Sequence, residues 1–225
     1  MKTNRFYIEQ NLDLEEITLI SREVVHQIRD VLRMKFGNKI VIFNGNGLDY
    51  LFEIRNIEKT SIQLKKIDSK PNIFNPKLEL EIAVALVKRD KIEWIIEKGT
   101  EIGVSSFRPL LAERSEKKSI NMERLNKIAL EATEQSQRAK VPIIHGVTKL
   151  TNLGKERYIV LDPKGSKFKP SSDTKITVLV GPEGGWTEKE LEIFRDRNAE
   201  IVSIGSQTLK TETACLAISA MLLLD

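Results

Sequence analysis

The sequence predicts an α/β protein in two parts: a small β-rich amino-terminal domain, residues 1–72, and a larger domain, residues 73–225, with a mainly parallel sheet flanked by helices. Three observations carry that prediction. Short alternating apolar runs fill the first 70 residues, strand patterns alternate with helix patterns beyond them, and a glycine-rich turn follows the apolar strand Ile176–Val180 directly.

In the first part, Phe6-Tyr7-Ile8-Glu9, Lys39 to Phe43, Asp49 to Ile54 and Ser61 to Leu64 alternate as half-buried strands do. Asn44-Gly45-Asn46-Gly47 between the second and third is a turn signal. One helical pattern, Ser21 to Leu32, interrupts the strands. Ser69 to Pro76, with two prolines and two asparagines, reads as a linker.

In the second part, Leu78 to Val87 reads as a strand, and Asp90 with Glu93 resembles a capping arrangement for a helix that Gly103 ends. Ser105 to Leu111 is the next strand, and Met122 to Ser136 has helical spacing before the stop at Val141-Pro142. Ile143-Ile144, Tyr158 to Leu161 and Ile176 to Val180 follow as strands. A helix starts at Thr187 with Glu190 as its box partner, Glu200 to Ile204 is a strand, and a final helix runs from about Thr211 to Leu224. That helix is apolar nearly all round, which predicts burial on several sides and a shared subunit interface.

Composition narrows the function. No apolar stretch approaches the roughly 20 residues of a bilayer span, and the start leads into a strand pattern instead of a signal core, so a cytoplasmic protein with no membrane partner is expected. The one cysteine, Cys215, leaves no intramolecular disulfide, and with two histidines in the chain no Cys/His zinc site is expected. A net charge of +4 is a mild excess. An RNA partner would therefore need a local basic surface, for which Arg108, Arg114, Lys117, Lys118, Arg138 and Lys140 are candidates, against the alternative of an ordinary solvated face.

Gly181-Pro182-Glu183-Gly184-Gly185 lies between a strand and a helix, where open α/β sheets bind ligands. By itself it fits a tight bend as well as a cofactor cradle. It lacks the Gly-Lys-Ser/Thr ending of a P-loop, and neither it nor Gly45-Asn46-Gly47 completes a dinucleotide fingerprint. A second polar segment, Ile204 to Ala214, also joins a strand to a helix, and Thr211 or Thr213 is a candidate cap there.

Taken together, Leu179 to Gly185, Leu209 to Ala214, Glu113-Arg114-Ser115, Glu134-Gln135-Ser136 with Arg138, His26 to Arg33 and Phe43-Asn44-Gly45 resemble the RsmE family. Its members are 16S ribosomal RNA uracil-N3 methyltransferases of the SPOUT superfamily. The similarity spans nearly the whole chain.

The resemblance implies a trefoil-knotted carboxy-terminal methyltransferase domain, an exception to the rule against threaded chains, and an amino-terminal PUA-like RNA-binding domain. It implies S-adenosyl-L-methionine as cofactor, bound by Leu161, Asp162 and Pro163, by Gly181, Pro182, Glu183, Gly184 and Gly185, and by Ile204, Gly205, Leu209, Thr213 and Ala214. Arg114, Arg138 and Glu212 become the catalytic candidates, the arginines for charge on the uracil oxygens and Glu212 for the N3 proton. No metal is required. The implied partners are 16S ribosomal RNA within the small ribosomal subunit and a second copy of the chain in a homodimer. The alternatives are methylation at another ribosomal or transfer RNA site, and a non-catalytic RNA-binding protein. Two positions depart from the family: Lys210 stands where arginine is usual, losing the planar fork, and Gln137 where glycine is common.

Overall fold

The chain divides into two compact units, which a computed structural model describes over residues 4–116, 119–154, 156–169 and 173–224. Lys117 and Lys118 lie outside the described residues. Unit 1 comprises Met1–Asn75 with Thr133–Lys140, and unit 2 comprises Pro76–Ala132 with Val141–Asp225.

Unit 1 is built on β1 (Arg5–Tyr7), β2 (Glu16–Leu19), α1 (Arg22–His26), β3 (Lys39–Phe43), β4 (Leu48–Ile57) and β5 (Ile62–Pro71). The sheet order is β1-β3-β4-β5-β2, with β1 and β3 parallel and the other pairs antiparallel. Its alternating residues Ile40, Ile42, Phe52, Ile54, Ile62 and Leu64 form the core with Ile28 from the helix. Helix α1 continues as a π-turn over Gln27–Val31. The Asn44 to Gly47 segment makes the expected turn, with Gly45 and Gly47 at φ 90° and 88°. The expected linker is corrected at its start: Ser69 to Pro71 pair with Tyr50 to Leu48 as the end of β5. Proline is tolerated there because it terminates the strand.

Thr133–Lys140 joins this unit through polar contacts. Arg5 holds Asp49 with two bonds of 2.8 and 3.0 Å and reaches the Arg138 carbonyl, while Asn72 bridges Asp49 to the Gln137 carbonyl. Gln137 sits at φ 64°, the left-handed region that glycine adopts without penalty.

Unit 2 contains β6 (Glu79–Ala85), α2 (Arg89–Ile102), β7 (Ser106–Leu111), the first turns of α3 (Met122–Gln135), β8 (Ile143–Ile144), β9 (Thr148–Lys149), β10 (Tyr158–Lys167), β11 (Lys175–Val180), α4 (Glu188–Asp196), β12 (Glu200–Ser203) and α5 (Thr211–Leu223). The order is β12-β10-β11-β6-β7-β8, with β9 beside β7, and every pairing among the described residues is parallel. Both faces are covered, so the central strands are apolar throughout. Leu80, Ile82 and Val84 of β6 face one core with Ile92, Ile95, Ile96 and Ile218, and Ala83 and Ala85 face the other with Trp186 and Phe194.

Thr187 and Glu190 form a reciprocal capping box on α4. Gly103 ends α2 at φ 122°. The expected capping by Asp90 and Glu93 is corrected: Lys88 is the N-cap without a side-chain bond, and Glu93 is drawn away by Arg89 and Arg124. Helix α5 is apolar as expected, and Ala214, Leu222 and Leu223 pack against the core beside its fully buried residues. Thr211, Cys215, Ile218 and Ser219 are buried, most of the rest is half-buried, and Met221 is 47% exposed.

Candidate active site

The register of the parallel sheet places three strand ends at one level. Leu161 of β10 pairs with Val180 of β11 on one side and with Val202 of β12 on the other. The chain leaves the sheet at all three points, which is where a crevice forms in such folds. In β10 it leaves and returns: Leu161 and Ser166 both align with Val202, so residues 162–165 bulge outward. Gly165 allows the return, because a Cβ there would lie 2.6 Å from the backbone N, Cα and C of Val202.

Loops from all three strand ends line the resulting cleft. Leu161, Asp162 and Pro163 line it from the first loop, Gly181, Pro182, Glu183 and Gly185 from the second, and Ile204, Gly205, Leu209 and Ala214 from the third. Eleven of the thirteen residues expected to bind cofactor therefore converge. Two do not. Gly184 turns outward, with its carbonyl on Arg114, and Thr213 is exposed on the outer side of α5. Sequence reasoning missed Val180, Trp186, Val202, Ser203 and Thr211 as lining residues, while Gln207 and Thr208 belong to the expected loop 204–209. Trp186 was within reach, since it adjoins the glycine turn.

Side chains brace the loops to one another. Trp186 Nε1 donates to the Leu161 carbonyl at 3.1 Å, tying the second loop to the first. Thr211 Oγ1 donates to the Gly181 carbonyl at 2.9 Å, tying the start of α5 to the second loop. This corrects the expected cap: Lys210 is the N-cap without a side-chain bond, and Thr211 serves the turn. Gly185, at φ 67°, closes the turn with its N–H on the Pro182 carbonyl.

The Glu113-Arg114-Ser115 segment supports the same turn from outside. Ser115 accepts from the Ala112 N–H, the Glu113 N–H donates to Glu190 of the α4 capping box, and Arg114 Nη1 donates to the Gly184 carbonyl at 2.6 Å. Arg114 is otherwise exposed, beside an adjoining hollow that Lys164 and Arg195 also line. Glu212 stands back from the cleft wall, near Lys91, which pairs with Glu183. Arg138 belongs to unit 1 and is buried; desolvation lowers its guanidinium pKa to about 10, so it stays cationic at neutral pH. Among the other basic candidates, Arg108 is committed to Glu81 through two bonds of 2.9 and 3.0 Å, and Lys140 is exposed.

The cleft suits a nucleoside bearing an amino-acid tail. Leu161, Trp186, Ile204, Leu209 and Ala214 give apolar walls, and Asp162, Glu183, Ser203, Gln207 and Thr208 add polar residues to the lining. Among the described residues no cluster of His, Cys, Asp and Glu has the makings of a metal site. No helix among them is long and apolar enough to cross a membrane.

Comparisons with known proteins agree with this geometry. Residues 75–223 match the family model described as RNA methyltransferase domain, and residues 20–67 match RNA methyltransferase PUA domain. The chain is 36% identical to "Ribosomal RNA small subunit methyltransferase E" of Rickettsia conorii, covering 98% of this chain and 95% of that protein. It is 32% identical to the protein of the same name from Bacillus subtilis, covering 96% and 95%. A crystal structure of a ribosomal RNA small subunit methyltransferase E from Neisseria gonorrhoeae bound to S-adenosyl methionine superposes with a TM-score of 0.87 at 25% identity, over 98% of this chain and 96% of that one. The chain belongs to the ribosomal RNA small subunit methyltransferase E family.

Proposed function

We propose that this protein transfers the methyl group of S-adenosylmethionine to N3 of a uridine in the 16S ribosomal RNA of the small subunit. The observation that carries the reading is the cleft at the ends of β10, β11 and β12, in a fold shared with a relative solved with that cofactor. Bound there, the cofactor supplies an electrophilic methyl group on a sulfonium. What remains for the protein is to hold the acceptor in line, let the N3 proton pass to water as the methyl leaves its sulfonium to give S-adenosylhomocysteine, and offset the charge of the deprotonated base. N3 is a pairing edge, so the target uridine must be unpaired or flipped out to react.

Within this reading the eleven converging residues bind cofactor, and Arg114, exposed beside the turn, meets the charge on the uracil oxygens. Arg138 is assigned to unit 1, where its carbonyl receives Arg5. Glu212 is assigned to the ion pairing with Lys91 behind the cleft instead of to proton removal, since the carboxylates lining the cleft are Asp162 and Glu183. Residues 1–72 act as the RNA-binding domain and 73–225 as the methyltransferase domain, a division supported by the two family models. The protein works in the cytoplasm as a homodimer. Supporting the dimer, Trp94 of α2 and Met221 and Leu224 at the end of α5 are 42%, 47% and 58% exposed, an apolar set that a partner would cover.

The test is incubation with labelled S-adenosylmethionine and small subunits from cells lacking the modification, followed by mass spectrometry of the nucleosides. 3-Methyluridine is the expected product. A different methylated nucleoside, or none, overturns the proposal.

A further inference from the structure

Lys91 occupies the first turn of α2, and its ammonium also lies against the first turn of α5, where Glu212 sits. Both are positive ends of helix dipoles, a poor place for a cation unless carboxylates hold it. Two do. Lys91 Nζ pairs with Oε1 of Glu183 in the glycine turn and lies 3.9 Å from Oε2 of Glu212. That Glu212 oxygen is buried and accepts no hydrogen bond among the described residues, so the ammonium and the positive end of α5 are what offset its charge. Lys91 thus joins α2, the second loop of the cleft and α5 at one point, with its side chain 19% exposed.

We propose that Lys91 is a positioning residue for the cofactor, acting through Glu183 to hold the glycine turn against α5. The inference rests on the reading that the cleft takes S-adenosylmethionine. The turn is tied at its start by Thr211 on the Gly181 carbonyl and at its end by Trp186 on Leu161, which leaves Glu183 between the two anchors with Lys91 as its ion partner. Without the ammonium, the Glu183 carboxylate faces the buried Glu212 oxygen with like charge. Repulsion then pushes the turn away from α5, and both belong to the wall of the cleft.

The experiment is a double-mutant cycle read by calorimetric affinity for S-adenosylmethionine, with unfolding temperatures measured alongside. Lys91→Met is expected to weaken binding about tenfold, in the middle of the range for coupled neighbours. Lys91→Arg, which keeps the charge, is expected to recover most of the loss. Lys91→Met combined with Glu183→Gln is expected to bind no more weakly than the worse single variant. Affinity of Lys91→Met within twofold of the parent, or losses that multiply in the double variant, overturns the inference. Should Lys91→Met fail to fold, Glu183→Gln against Lys91→Arg decides: loss with glutamine and retention with arginine supports it, and the reverse pattern overturns it. Absence of binding by the unmodified chain would sink the cofactor reading itself, a result distinct from either.

Discussion

Replacing Gly165 by alanine probes the cleft by moving its frame and not its lining. The new Cβ would lie 2.6 Å from three backbone atoms of Val202, whereas ordinary contact begins at 3.4 Å, so a displacement of about 0.8 Å (3.4 minus 2.6) is required. No rotamer can provide it, because the obstacle is backbone and Val202 is fully buried. The strands must part, at a cost of about 1–3 kcal/mol, the usual range for overpacking. For a chain of this size that lowers the unfolding temperature by roughly 2–12 °C. Because Leu161 to Pro163 and Val202 to Gly205 line the cleft from the separated strands, cofactor affinity should fall too. Thermal unfolding with and without S-adenosylmethionine measures both: saturation at 100-fold over Kd stabilises the parent by about 2.7 kcal/mol, and the variant should gain less at equal concentration. Gly146→Ala is the control, since a Cβ there meets nothing within 4 Å. If Gly165→Ala unfolds and binds like Gly146→Ala, the bulge does not frame the cleft as argued.

Two further outcomes follow from other parts of the chain. Gln137→Gly should raise stability by about 0.5 kcal/mol: relief of the left-handed backbone, about 1–2 kcal/mol, exceeds the added freedom of the unfolded chain, about 0.4–1 kcal/mol. Denaturant unfolding that shows a loss would contradict it. Glu93 is held well below its ordinary value of 4.5, at about 2, by hydrogen bonds from Arg124 first and Arg89 second. A depressed carboxylate contributes stability above the unfolded value that is lost as pH falls through the folded one, so the window is about 4.5 down to 2. Both arginines are largely exposed, so Glu93→Gln should cost only about 0.5–1 kcal/mol at neutral pH. The difference should vanish near pH 2; a constant gap across the titration would show that charge is not its source.

The features legible in sequence are those decided locally. Thr187 and Glu190 are three residues apart, and their capping box needs nothing beyond the helix they start. The apolar strands of unit 2 announce a sheet covered on both faces because each residue of β6 must meet a core on one side or the other. What sequence does not carry is which distant group claims a polar side chain first. Thr211 has the composition and position of a cap, yet the Gly181 carbonyl, thirty residues away, takes its hydroxyl. Asp90 and Glu93 look like a helix start until Arg124 of α3 draws Glu93 off. Lys91, Glu183 and Glu212 share no spacing at all, so their meeting belongs wholly to the tertiary structure. Gln137 is the instructive middle case: its departure from the family's glycine is visible in sequence, and the positive φ that gives it meaning is not.

The glycine turn, residues 181–185, forms one wall of the cleft. A turn of this composition is flexible by itself, and a flexible wall would lose affinity to ordering at each binding event. Here the ordering is done beforehand. Trp186 fixes the turn to the bulge of β10, Thr211 fixes it to α5, Arg114 holds the Gly184 carbonyl from outside, and Lys91 holds Glu183 from behind. Each of these braces ends on a backbone carbonyl or a carboxylate of the loops, which leaves the small residues Gly181, Gly185, Gly205 and Ala214 to face the cleft. Glycine therefore provides the close approach, and side chains outside the motif provide the rigidity. Substituting a brace should raise the dissociation constant without altering which cofactor is bound, whereas filling the wall at Gly185 should exclude the cofactor altogether.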